Sequence, residues 1–220
     1  MTHKMEVIGL IGFMAGDGYF PGLFLDTTAG TRSFKTPSGV YNFTNIELYG
    51  PGGPSGGGTA GGRGGGGGGS SAWCQKSNAA TTPGLDVTYT IGNIGTGGAV
   101  ATNGTIGTAT TMSDLGLTLV SNPGPPGLGS GGTGGSPAAT ASGGDTNTDG
   151  LVGGSTGTST GGVGSAHPKA TVGFYGGDAT AGSAIGVAGV IGFAYGAGSG
   201  GGGRGAIGAD GPPGLIAFGW

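Results

Sequence analysis

The chain has 220 residues, a formal net charge of −3, 8% charged residues and 63 glycines. Its seven Lys and Arg, scattered along the chain, give no basic patch for nucleic acid, and a single cysteine, Cys74, excludes an intrachain disulfide framework and a Cys-rich zinc site. Collagen needs glycine at every third position without interruption, whereas the best run, Gly202 to Gly214 in steps of three, breaks at Ser199 and Ala217; disorder by composition calls for a high net charge that this chain lacks.

Met5 to Leu25 is the most apolar stretch, with Ile8, Leu10, Ile11, Phe13, Phe20, Leu23 and Phe24. Its glycines disfavour a helix, so it predicts two short strands around Gly16-Asp17-Gly18. The acidic Glu6 and the want of a cleavage site argue against a signal peptide. No run reaches the roughly 18 apolar residues that cross a bilayer, so no membrane insertion is expected. A subunit with so small a core should lean on partners, and these seven residues are the candidate assembly surface.

Ser33 to Tyr49 alternates in part and predicts strand-turn-strand, with the turn at Pro37-Ser38-Gly39. Gly50 to Ser70 is a glycine tract. Leu85 to Ile91 is the clearest strand, with Leu85, Val87, Tyr89 and Ile91 on one face. Leu115, Leu117 and Leu119 alternate too. Pro123 to Ser165 is a second tract, of Gly, Ser, Thr and Pro, followed by short apolar pieces at Thr171 to Tyr175 and Ile185 to Tyr195. Gly196 to Gly211 is the third tract, and Leu215 to Trp220 predicts a closing strand after a Pro-Pro-Gly turn. No amphipathic helix is visible. The expectation is an all-β fold in two parts: an apolar attachment segment, 1–33, and a glycine-rich β domain, 34–220.

Chemistry is sparse. Asp145, Asn147 and Asp149, with Gly150 after them, match the first half of a calcium loop, but the twelfth position is Thr156 where such a loop needs a bidentate Glu. The competing reading is a polar turn. Gly-x-Ser-x-Gly occurs around Ser155 and Ser159, inside a low-complexity tract with no strand before it to form a nucleophile elbow. No Gly-Lys-Ser or Gly-Lys-Thr follows a glycine run, which argues against phosphate binding. No catalytic residue and no cofactor other than calcium is expected. His167-Pro168 reads as a surface turn and Cys74 as a small buried apolar residue. Trp73 and Tyr175 are candidate receptor contacts, because loop aromatics stack on sugars or enter partner pockets; Phe218 and Trp220 read as core.

Phe34 to Val40, running into Ile46 to Gly53, resembles the opening of the glycine-rich domain found in bacteriophage tail fibres and tail-tip adhesins: a Pro-x-Gly-Val turn, an alternating strand, then Gly-x-Gly-Gly. Thr82 to Gly92, Thr105 to Thr111 and Gly200 to Trp220 resemble its later elements in the same order. The resemblance covers Phe34 to Trp220. It implies a small β-sandwich-like framework whose glycine-rich loops form polyglycine II helices, extended threefold helices that bond sideways to their neighbours. The every-third glycines from Gly202 to Gly214 would then put bare backbone along one edge. It also implies a non-enzymatic virion structural protein, a trimer or other homo-oligomer, bound to other virion proteins and to a host surface receptor. A subunit of an extracellular filament or surface layer, built by strand exchange, is the competing expectation. An ice-binding protein is a weaker one, since Thr108, Thr110, Thr111 and Thr156, Thr158, Thr160 hold no sustained period.

Overall fold

The computed structural model describes residues 22–129, 132–156, 160–168 and 195–220. Among them there is no helix, and ten strands form two antiparallel sheets. The strands are β1 (Leu23–Asp26), β2 (Gly30–Lys35), β3 (Asn42–Tyr49), β4 (Trp73–Ala80), β5 (Asp86–Ile91), β6 (Thr110–Met112), β7 (Leu119–Ser121), β8 (Ala141–Ser142), β9 (Thr146–Thr148) and β10 (Leu215–Gly219). One sheet has the order β1-β10-β3-β4-β9 and the other β2-β5-β6-β7-β8.

The alternation in β5 sends Val87, Tyr89 and Ile91 inward, where they meet Phe43, Ile46 and Leu48 of β3 and Ile216 and Phe218 of β10. Phe34 stacks on Phe24 at 4.5 Å and on Phe218 at 5.2 Å. The fold is therefore an all-β sandwich with an aromatic core. Pro37 to Val40 is a turn with Val40 N–H on the Pro37 carbonyl at 3.3 Å. Gly39 takes the positive φ, 82°, that the third position of a type II turn demands. This turn does not close a hairpin: β2 and β3 lie in different sheets, so the chain crosses the sandwich there.

The boundary expected at residue 33 falls inside β2, and β1 pairs with the C-terminal β10. Leu23 to Lys35 thus belongs to the sandwich. β4 had no warning in the sequence, and it pairs along nearly all of β3.

The glycine tracts leave one end of this sandwich. Tyr49, Trp73 and Leu215 stand in one row of the first sheet, and Thr110 pairs with Ser121 in the second. The Ser121 hydroxyl ties the two sheets' ends together. It accepts from the Gly50 N–H and donates to the Ala72 carbonyl, both at 2.7 Å. From these strand ends the chain runs out and back five times, giving extended legs at 50–58 and 64–72, 92–98 and 102–109, 122–129 and 132–138, 149–156 and 160–167, and 195–203 and 206–214.

The legs bond to one another with a period of three. Gly52, Ser55 and Gly58 donate to the carbonyls of Pro212, Ala209 and Ala206. Gly53 and Gly56 donate to Gly69 and Gly66. Leg 64–72 uses all three of its faces: Gly65, Gly68 and Ser71 donate to Gly202, Ser199 and Gly196; Gly66, Gly69 and Ala72 donate to Leu128, Pro125 and Asn122; Gly67 and Ser70 donate to Gly154 and Leu151. A step of three along both partners is the signature of two threefold extended helices lying side by side. The tracts are polyglycine II helices.

Candidate functional site

The interior of the glycine array is closed to ligands. Leg 64–72 has six neighbours: it donates to 195–203, 122–129 and 149–156, and it accepts from 50–58, from 160–167 through Gly162 and Ser165, and from 132–138 through Gly135. Leg 50–58 is likewise surrounded, by 64–72, 122–129, 195–203, 206–214 and both legs of the 92–109 hairpin. Pro51 to Gly58 and Gly64 to Ala72 are buried. A Cβ at Gly66 would overlap the Thr133 carbonyl, and one at Gly68 the Gly53 carbonyl. At those two positions nothing but backbone fits, and the array is held chiefly by backbone bonding, since every buried N–H and C=O needs a partner.

Outer legs alternate differently. In leg 206–214, Gly208 and Gly211 face the Ser55 and Gly52 carbonyls, Ala206, Ala209 and Pro212 are buried against neighbours, and Ile207, Asp210 and Pro213 are exposed. Every third side chain is therefore free to vary. Only part of the expected edge from Gly202 to Gly214 forms: Gly208, Gly211 and Gly214 line one bare edge, while Gly205 sits in a turn at φ 72° and Gly202 lies on the preceding leg.

The far end of the array is exposed. A nine-residue leg rises about 28 Å at 3.1 Å per residue, so the turns there stand well clear of the sandwich. Three of them lock around one point. Thr59 N–H donates to the Arg63 carbonyl at 2.9 Å, Gly205 N–H donates to the Thr59 carbonyl at 3.2 Å, and Ala101 N–H donates to the Gly58 carbonyl at 3.2 Å. Val100, Leu128 and Ile207 are exposed around them. Arg63 and Arg204 are the charged residues of this tip. The other described cations, Arg32, Lys35 and Lys76, lie on the sandwich with Asp26, Glu47, Asp86, Asp114 and Asp145.

The residues singled out in the sequence are placed as follows. Leu23 is exposed at the edge strand β1, while its neighbour Phe24 packs into the core. Ile8, Leu10, Ile11, Phe13 and Phe20, like Tyr175, lie outside the described residues. Trp73, offered as a receptor contact, is instead 7% exposed in β4. It packs against Tyr49, and its indole N–H donates to Glu47 Oε2 at 3.2 Å. The Tyr49 hydroxyl donates to the same oxygen at 2.6 Å.

Of the three calcium candidates, Asp145 and Asn147 have other work, and Asp149 is exposed where leg 149–156 begins. Asp145 pairs with Lys76 at 2.6 Å and accepts the Ser77 N–H at 2.8 Å. These contacts, that of Lys76 first, hold its carboxyl below the usual range. Asn147 closes on Gly144, accepting its N–H and donating to its carbonyl. No group of three or more His, Cys, Asp and Glu among the described residues converges on a metal position.

His167 is not on a surface turn: it is buried, with its ring 5.0 Å from that of Tyr49. Cys74 is fully buried, and burial pushes its thiol up to about 12. Ser155 sits on a glycine leg facing the Gly134 N–H. Thr102, Thr105 and Thr108 recur every third residue on an exposed leg. However, Thr102 Oγ1 donates to the Ala99 carbonyl and Thr108 Oγ1 accepts the Asn93 N–H, so two of the three hydroxyls are committed inside the array. Compared with known proteins, the chain matches no family model and no curated sequence.

Proposed function

We propose that this chain is a non-enzymatic structural component of a virion appendage, a bacteriophage tail fibre or tail tip, that presents loops to a host surface receptor. The observation that carries the reading is the polarity of the molecule. The turns at 36–41, 81–85, 113–118 and 143–145 and the start of β1 lie at one end of the sandwich, and all five glycine hairpins project from the other, where the β1–β2 turn also lies. Such a body is a stiff spacer with attachment at one end and recognition at the other. Loops held on a rigid scaffold are where binding residues concentrate. On this reading the apolar stretch through Leu25 joins the subunit to copies of itself, as a trimer or other homo-oligomer, and to the rest of the particle. Immunogold labelling of particles from cells that make the protein tests it: label at the distal end of the tail supports the reading, and particles free of the chain overturn it.

One observation favours a second reading. Among the described residues β1 is an edge strand, with Leu23 61% and Leu25 41% exposed, and an apolar edge is a template for a strand from a neighbour. A surface filament built by strand exchange uses that edge. Negative staining of the purified protein separates the two, since only the filament gives long homopolymers without other virion proteins.

A further inference from the structure

We infer that the tip of the array binds an anionic surface polysaccharide, through phosphate or carboxylate groups gripped by Arg63 and Arg204. The inference rests on the receptor-facing reading above and names the chemistry of that face.

Charge is the first ground. The described tip carries two guanidinium groups and no carboxylate; the nearest acid on the adjoining leg is Asp210, whose Oδ1 is already taken by the Gly97 N–H at 2.8 Å. The chain as a whole is acidic, at −3, so a cationic end is a local departure from the bulk.

Geometry is the second. Arg63 and Arg204 lie on separate turns, and both turns are bonded to Thr59: one through the Arg63 carbonyl, the other through the Gly205 N–H. The legs beneath Arg63 are packed on all sides, and the turn that carries Arg204 is tied to that same hairpin through Thr59, so the spacing of the two turns is preset rather than left to loop motion. Guanidinium groups bind oxyanions bidentately, and a preset pair loses less freedom on binding.

The third ground is independent of both. The Arg204 Nε atom is shielded from solvent and has no hydrogen-bond partner in the protein. A buried donor without an acceptor is costly, and an oxyanion seated between the turns would supply one.

The partner class follows from what the tip lacks. None of its described turns carries an aromatic residue to stack a base, and two cations are few for a nucleic-acid backbone. A repeating anionic glycan needs only the oxyanion grip plus apolar contact with sugar faces, which Val100 and Ile207 offer.

The test uses the full chain over immobilised phosphorylated dextran, polygalacturonate, unmodified dextran and single-stranded DNA. The expected result is retention on at least one of the two charged glycans, weaker at high salt, and none on neutral dextran. The two charged arms separate phosphate from carboxylate recognition. Arg63→Ala with Arg204→Ala should weaken that binding at least about tenfold, and Lys35→Ala, at the opposite end, should leave it unchanged. A melting curve for each variant checks that it is folded. Equal binding by the double variant, binding to neutral dextran, no binding to either charged glycan, or tighter binding to DNA overturns the inference. The receptor-facing reading fails separately: it falls if particles carrying a chain with residues 59–63 and 203–206 replaced by glycine adsorb to cells as well as native ones. If those particles lose adsorption while the double arginine variant keeps it, that reading stands and the anionic ligand does not.

Discussion

At residue scale the molecule turns on where a methyl group can go. Gly66 lies in a leg with six neighbours, and its added Cβ meets the backbone of Thr133 and Gly134. Backbone locked in a lattice cannot step aside as a side-chain tip can. Gly66→Ala should therefore cost about 3 kcal/mol or more, at the upper end of what overpacking does. Gly61, on the exposed tip turn, has nothing within 4 Å of its Cβ and an ordinary φ. Gly61→Ala should stabilise by about 0.5 kcal/mol by restricting the unfolded chain. Urea titration of the two variants checks it: one glycine-to-alanine change of each sign, five residues apart. Cys74 gives the pH counterpart. Its thiol is held neutral by burial, with its pKa raised from 9.0 to about 12. A raised pKa contributes stability that is fully present below pH 9 and is lost as pH climbs from 9 toward 12. The urea midpoint should fall across that window and less so in Cys74→Ala. A thiol reagent at pH 8 should label the chain only after unfolding.

At element scale, period decides what the sequence can reveal. In β5 the period is two, and Val87, Tyr89 and Ile91 announced a strand that the structure contains. In leg 206–214 the period is three, and the every-third glycines announced a bare edge that the structure also contains. β4 was silent, because Gln75, Lys76, Ser77 and Asn78 break any apolar alternation; only pairing with β3 makes that segment a strand. Trp73 and His167 read as surface residues because nothing local shows that the root of the array will cover them. The threefold period can be tested by a shift of one position. Ile207→Asn lies on the exposed face and should change stability by no more than about 0.5 kcal/mol, whereas Gly208→Ala faces the Ser55 carbonyl and should cost about 2 kcal/mol or more. Where strand turns into glycine leg, Ser121 is the joint. Ser121→Ala would strand the Gly50 N–H and the Ala72 carbonyl, both buried. Each orphan costs about 1–3 kcal/mol, so equilibrium unfolding should show a loss of about 2–6 kcal/mol with no cavity large enough to account for it.

At the scale of the whole molecule, the number of legs has a geometric reason. Two adjacent points of a hexagonal lattice share two neighbours and have three more each, so enclosing both takes eight. The first hairpin, 50–58 and 64–72, supplies the two centres. Legs 122–129 and 195–203 touch both; 132–138, 149–156 and 160–167 complete one ring, and 92–98, 102–109 and 206–214 complete the other. The unbroken run Gly64 to Gly69 accordingly lies in one of the two central legs, where a Cβ at any of its positions would meet a neighbouring leg, while the outer leg 206–214 carries glycine only at intervals. It also fixes the thermodynamics. The apolar core sits between the sheets, and the array buries mainly peptide groups. Exposing apolar surface raises heat capacity and exposing polar surface lowers it. An ordinary globular chain gains about 12–15 cal/mol/K per residue on unfolding, or about 2.6–3.3 kcal/mol/K for this length. Calorimetry should find this chain below about 2.6 kcal/mol/K, while its urea m-value, which follows total surface exposed, stays in proportion to its size. A heat-capacity change at or above that bound would mean that apolar burial, and not the lateral bonding of glycine backbones, dominates the stability of the array.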